Sequence, residues 1–144
     1  MKISELHNLQ QLSQVAQQKN LPIMLAFGAE WCEFCEQLKE EVLDPMALGR
    51  EYEGKWMLMR YVSIDDATPF IFWDGSLKTK SQWFDELNLD VTPTVIFIDA
   101  KAQLLTEPIV GISNIEFFPA LIHQHLNQSY QKLGNPIRID PLHP

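Results

Sequence analysis

Residues 27–35 read Phe27–Gly28–Ala29–Glu30–Trp31–Cys32–Glu33–Phe34–Cys35. Just before them, Pro22–Ile23–Met24–Leu25–Ala26–Phe27 is a short, continuously apolar run closed by Gly28, the pattern of a central strand buried on both faces. After them, Phe34, Leu38 and Val42 recur at i, i+4 and i+8, which predicts a helix with those three on one face. The two cysteines therefore fall at a strand-to-helix junction. With the helix starting at or just after Cys32, that sulfur lies over unpaired backbone N–H groups and the positive end of the helix dipole. Both stabilise the thiolate, the form that attacks a disulfide. Cys35, one turn on and more buried, is placed to resolve the mixed disulfide, and the pair can cycle between dithiol and disulfide with little backbone movement.

The rest of the composition narrows the function. The chain has 144 residues, enough for one domain with a single core, and is 46% hydrophobic and 21% charged, as in ordinary globular proteins. Lys and Arg number 11 against 19 Asp and Glu, a formal charge of −8. That argues against nucleic-acid binding, which draws its affinity from cations on phosphate, and against attachment to anionic lipid. The longest apolar run, Leu21 to Ala29, stops at Glu30 and is too short to span a membrane. The first residues, Met1–Lys2–Ile3–Ser4–Glu5–Leu6–His7, lack the apolar core of a signal peptide, leaving a cytoplasmic protein or an exported one whose leader has been removed. Only two cysteines are present, and at this spacing they cannot staple a fold.

Outward from the pair, Ser4 is a candidate cap for a first helix, with Leu6, Leu9, Leu12 and Ala16 at roughly helical spacing up to Asn20. Asp44–Pro45 is expected to interrupt the second helix, with a short turn resuming up to Tyr52. Trp56–Ile64 reads as a strand, Asp74–Gly75 as a turn and Thr79–Leu87 as a helix. Val91–Ile98 reads as a strand entered through Pro93, joined by a turn at Asp99–Lys101 to an edge strand near Gln103–Val110 that Pro108 confines or breaks. Ser113–Asn114–Ile115–Glu116 reads as a capping box with Ile112 and Phe117 as its staple. Pro119 conflicts with a regular first turn, so a kinked or 3₁₀ turn is expected, then helix from Phe118 to Leu133, stopped by Gly134. The order α–β–α–β–α–β–β–α predicts an α/β domain around a small mixed sheet over residues 1–134, with a proline-rich tail over 135–144, extended or loosely attached.

The stretch 27–35, together with Val91–Thr92–Pro93–Thr94 and Val110–Gly111 before the last helix, resembles the thioredoxin family, and the element order agrees from about residue 5 to 133. The resemblance implies a thioredoxin-like fold and thiol–disulfide exchange on partner proteins, with Cys32 as nucleophile and Cys35 as resolving thiol. It implies a cis Pro93 against the pair and a Thr92 backbone that pairs with an extended substrate, with Trp31 and Phe34 flanking the docking surface. It implies no metal or nucleotide cofactor beyond the redox-active disulfide and an upstream redox protein as electron donor; the sequence gives no sign of oligomerisation, and a monomer is expected. Two departures stand out. Glu33–Phe34 replaces the family's Gly-Pro between the cysteines, and Ala26 stands where thioredoxins bury an aspartate credited with moving the resolving thiol's proton, leaving Glu30, Glu36 or water to substitute. The longer segment Asp65–Asp90, with Trp73–Asp74–Gly75 and a short helix, resembles exported bacterial thioredoxin-like reductants. On that ground the expected compartment is the periplasm, with the cytoplasm as the alternative.

Other readings of the same residues are an inert buried pair or half of a metal site. A structural zinc needs four ligands, no second cysteine pair exists, and His7, His123, His125 and His143 form no set with Cys32 and Cys35, nor does any one stand out as the distant ligand of a copper carrier. Trp31 is expected to be exposed and functional. Trp56, Trp73, Trp83, Phe70, Phe72 and Phe84 read as core or as a cap over the insertion, with a substrate-binding aromatic face on Phe70–Trp73 as the alternative, and Met46, Met57 and Met59 as core filler. Glu30, Glu33, Glu36, Glu40 and Glu41, opposed only by Lys39, disfavour the thiolate; the run reads otherwise as a solvated helix face, or as a surface that repels acidic partners and selects neutral or basic ones. The first reading predicts a reductant nearer about −270 mV than the roughly −120 mV of a strong oxidant. The alternatives are an oxidant or isomerase within the enzymes, and outside them a non-catalytic binding or metal-delivery module.

Overall fold

The structure is a computed structural model that describes residues 2–141; His143 and the end of the tail lie outside the described residues. Four strands, β1 (Ile23–Gly28), β2 (Leu58–Ser63), β5 (Thr94–Ile98) and β6 (Ile109–Val110), form a mixed sheet in the order β2-β1-β5-β6. β1 runs parallel to β2 and antiparallel to β5, and β6 closes the edge antiparallel to β5. Every residue of β1 is buried, as its unbroken apolar sequence predicts for a strand covered on both faces.

The alternation of β1 sorts the core into two layers. Met24 and Ala26 face a cluster with Leu38, Val42, Leu43 and Met46 from the helices after the cysteines and Phe118, Ile122, Leu126 and Tyr130 from the last helix. Ile23, Leu25 and Phe27 face Leu9, Leu12 and Ala16 of α1 (Leu9–Lys19) and Trp83 and Phe84 of α4 (Lys80–Glu86). Phe70 joins Trp83 and Phe84 as buried core, and Met46, Met57 and Met59 are buried too.

Several elements differ from the sequence reading. Ser4 caps nothing: its carbonyl accepts the Tyr61 N–H at 2.8 Å, and residues 4–6 run along the outer edge of β2. Strand pairing outcompetes a local cap there, and α1 starts instead at Leu9, capped by Asn8, whose Oδ1 accepts the Gln11 N–H at 3.0 Å. Asp44–Pro45 does not interrupt the second helix. The run passes from α2 (Glu33–Leu38) through a π turn (Lys39–Leu43) into α3 (Asp44–Leu48), with the Asp44 N–H reaching Lys39 O. Pro45 has no N–H, and its ring would collide with the carbonyl four residues back; the wider turn relieves both. Between β2 and α4 a hairpin of two two-residue strands, β3 (Phe70–Ile71) and β4 (Leu77–Lys78), turns over Asp74–Gly75, and the Asp74 carboxylate accepts the Ser76 N–H at 3.0 Å.

The last helix follows the proline argument. A 3₁₀ turn (Ile115–Phe117) leads into α5 (Phe118–Leu133), which ends at Gly134 with φ 68°. The cap is Asn114, whose Oδ1 accepts the Glu116 N–H at 3.0 Å, and not Ser113; Phe117, 67% exposed, is no staple. Residues 135–141 are extended and pinned to the domain. Asn127 exchanges two 2.7 Å hydrogen bonds with the Ile139 backbone, and Ile139 is buried. His123, fully buried, donates from Nδ1 to the Asp140 carbonyl at 3.0 Å and accepts the Tyr52 hydroxyl at Nε2, 2.7 Å away. His125 turns elsewhere, to Thr106 and the face of Phe97, and burial pushes its imidazole below the usual range. No helix among the described residues is long and apolar enough to cross a membrane.

Candidate active site

The sheet delivers the cysteine pair to the C-terminal end of β1. Gly28 ends the strand, Ala29 is buried, and the Ala29 carbonyl accepts the Cys32 N–H at 3.2 Å, a turn that sets Cys32 as N-cap of α2. Its sulfur accepts the Cys35 N–H at 3.1 Å. This is the geometry in which an orphan helix donor stabilises negative charge on the capping atom. Cys32 and Cys35 are joined as a disulfide, their Cα atoms 5.2 Å apart. The pair is asymmetric: Cys35 is 1% exposed, whereas Cys32 is partly open to solvent. Attack from outside can reach only Cys32.

The loop before β5 closes the other side. The Thr92 carbonyl oxygen lies 3.5 Å from Cys32 Sγ, and the Thr92–Pro93 peptide bond is cis. Pro93 is buried and its carbonyl accepts the Gly111 N–H at 2.8 Å, tying this loop to β6. Among the described residues the Thr92 N–H meets no acceptor, so the residue whose carbonyl faces the sulfur keeps an unspent backbone donor. Trp31 is 69% exposed and Phe34 63%, so both flank Cys32 at the surface. The stripe of Phe34, Leu38 and Val42 is thereby corrected. Leu38 and Val42 are core, but residue 34 sits on the outer side of the first turn, and Cys35 takes the inward position.

The acidic residues Glu30, Glu33, Glu36, Glu40 and Glu41 are all solvent-exposed, as on a solvated helix face, where screening leaves each a small effect on the sulfur. Neither Glu30 nor Glu36 is buried beneath the pair. Among the described residues, no three His, Cys, Asp or Glu side chains gather as metal ligands.

The residue beneath the site that sequence reading missed is Tyr61. It pairs in register with Ala26, so its ring shares that residue's face and leans along the sheet to Gly28. The Lys39 ammonium lies 4.9 Å from the ring centroid. Burial first, then the carboxylates of Glu36, Glu5, Asp65 and Asp44, push the phenol up to about 12, so it stays neutral at physiological pH. The one sequence signal is Gly28 itself, since a Cβ there would come within 1.9 Å of the Tyr61 hydroxyl. Gly28→Ala is therefore expected to cost about 2 kcal/mol, the usual range for overpacking. In a Tyr61→Val background the same change should cost little, and urea unfolding of the four proteins of that cycle checks the coupling.

A partly open sulfur at a helix N-cap, a buried partner cysteine one turn on, and a loop backbone against the first sulfur are the parts of a thiol–disulfide oxidoreductase. The model of the thioredoxin-like domain family matches residues 9–126, and the chain belongs to that family. Solved structures agree on the fold. Thioredoxin O2 from Arabidopsis thaliana superimposes with a TM-score of 0.55 at 19% identity, covering 85% of this chain and 93% of that one. Schistosoma mansoni thioredoxin gives 0.54 at 20%, covering 87% and 99%. A thioredoxin f2 solved in complex with ferredoxin:thioredoxin reductase gives 0.56 at 13%, covering 85% and 94%. No curated protein matches the sequence significantly.

Proposed function

We propose that the protein reduces disulfides of partner proteins, with Cys32 as nucleophile and Cys35 as resolving thiol. The observation that carries this reading is the asymmetry of the pair, a partly open, N–H-stabilised sulfur backed by a buried one. The Cys32 thiolate attacks one sulfur of the substrate disulfide; that S–S bond breaks and the first substrate thiolate leaves and takes up a proton. Cys35, once deprotonated, attacks Cys32, and the second substrate thiolate leaves. Two electrons have then passed to the substrate, and the protein is in the disulfide form. An upstream redox protein, of the kind represented by the reductase bound to thioredoxin f2, restores the dithiol.

The unspent N–H of Thr92, whose carbonyl lies against the sulfur, supports a substrate segment held by its backbone, with Pro93 as the floor and Trp31 and Phe34 as flanks. The reducing direction is supported by the exposed glutamates around Cys32, whose like charge disfavours its thiolate even though screened and so offsets part of the stabilisation from the Cys35 N–H. The insertion between β2 and α4 supports the periplasmic assignment, which fractionation of the native cell tests.

The chemistry is tested by trapping. Reduced Cys35→Ser protein, incubated with a protein disulfide such as that of insulin, is expected to accumulate a covalent adduct at Cys32 that dithiothreitol releases. Absence of the adduct, or equal adduct from Cys32→Ser protein, would overturn the reading.

A further inference from the structure

A groove of about 530 Å³ runs between β6 and the start of α5, lined by Val110, Gly111, Phe117, Ala120, Leu121 and Gln124 among others. That volume lies in the usual range of ligand sites, about 300–1,000 Å³. It begins next to the chemistry: Cys32 Sγ lies against Thr92, the following residue's carbonyl holds the Gly111 N–H, and Gly111 with Val110 forms the near wall. Two apolar side chains stand open along it, Val110 at 56% and Phe117 at 67% exposure. Phe117 is held out by the local backbone, because Pro119 forces a 3₁₀ turn and Asn114 caps it, leaving residue 117 off the face that α5 buries. β6 is the sheet edge, so its outer backbone is not used by the sheet.

Charge says what fits. From Leu105 to Gln124 there is no Lys or Arg, whereas Glu107 and Glu116, within two residues of the lining residues Ile109 and Phe117, are exposed, as are Glu30, Glu33 and Glu36 around the cysteine pair. An anionic surface is repelled here and a basic chain attracted. We propose that this groove is a specificity subsite of the disulfide substrate: it takes a large apolar side chain from an extended, basic segment whose cysteine lies over Cys32. Phe117 is the residue that selects for it. The inference rests on the exchange reading and names the substrate class for the same site.

The probes are disulfide-linked homodimers of a short peptide with lysines around one cysteine and a phenylalanine placed at successive positions along it. A matched set carries serine instead. At one position or two neighbouring ones, wild-type protein is expected to reduce the phenylalanine peptide with kcat/KM about tenfold above its serine partner, the worth of one apolar contact in a pocket. Phe117→Ser should bring the two peptides level and leave reduction of oxidised glutathione unchanged. Equal rates for both peptides at every position, or a Phe117→Ser loss that falls equally on glutathione, would overturn the proposal. A binding measurement separates this from failure of the exchange reading. In Cys32→Ser/Cys35→Ser protein the reduced peptide is expected to shift the amide resonances of Val110, Gly111 and Phe117, with or without turnover; no shift there would overturn the subsite.

Discussion

Replacing Cys32 with serine is expected to lower the rate of protein-disulfide reduction by at least about a thousandfold, to the uncatalysed background, because the nucleophile is lost outright. A serine hydroxyl is not ionised at neutral pH and cannot form the sulfur–sulfur bond on which the exchange depends. The matching change at Cys35 separates the two roles. Cys35→Ser protein keeps the partly open sulfur and its N–H donor, so the first attack proceeds at near wild-type rate and turnover stops at the mixed disulfide. Stopped-flow mixing of each reduced protein with a small aromatic disulfide reads the first step, and dithiothreitol-driven insulin reduction reads turnover. Comparable turnover in Cys32→Ser and wild-type protein would remove Cys32 from the mechanism.

The second large effect is on stability. Lys80 is 1% exposed, and its ammonium bonds Glu5 at 2.8 Å and Asp66 at 3.3 Å. The same Glu5 carboxylate accepts from the Ser63 backbone at 2.8 Å and hydroxyl at 2.7 Å, joining the amino-terminal segment to the end of β2 beside the site. Glu5→Ala leaves a buried cation with one longer contact and is expected to cost about 3 kcal/mol, the low end for breaking a buried pair because Asp66 remains. Lys80→Met is expected to cost only about 1 kcal/mol, since the two carboxylates it abandons are open enough to rehydrate. Urea unfolding at neutral pH measures both, and the reverse order would contradict the account. The acid limb follows from Asp66, whose carboxyl is held below its ordinary range, first by hydrogen bonds from Thr68 and then by Lys80. A folded-state pKa lowered in this way contributes stability above the unfolded value, and that contribution is lost as pH falls through the lowered one.

What the sequence disclosed and withheld divides by range. The unbroken apolar run of β1, the Cys32 cap, the Pro119-driven 3₁₀ turn and the Gly134 stop all follow from local rules, and each is found in the structure. The misreadings come from competition at a distance. Ser4 has the chemistry of a cap, but Tyr61 takes its carbonyl into a strand edge. Pro45 reads as a break, yet one π turn carries the helix across it. Phe34 fits the spacing of an apolar stripe and still faces water, because Cys35 takes the inward place. Tyr61 beneath the site depends on the parallel register of β1 and β2, which no local pattern encodes.

The most direct test of the central claim is the equilibrium reduction potential of the Cys32–Cys35 couple, titrated against glutathione or dithiothreitol and read by thiol alkylation. The expected result is one two-electron transition with a midpoint between about −230 and −300 mV, where couples that reduce protein disulfides lie and above the range of structural disulfides. A midpoint above about −180 mV would make the protein an oxidant or isomerase, and a pair that stays oxidised below about −300 mV would contradict exchange altogether.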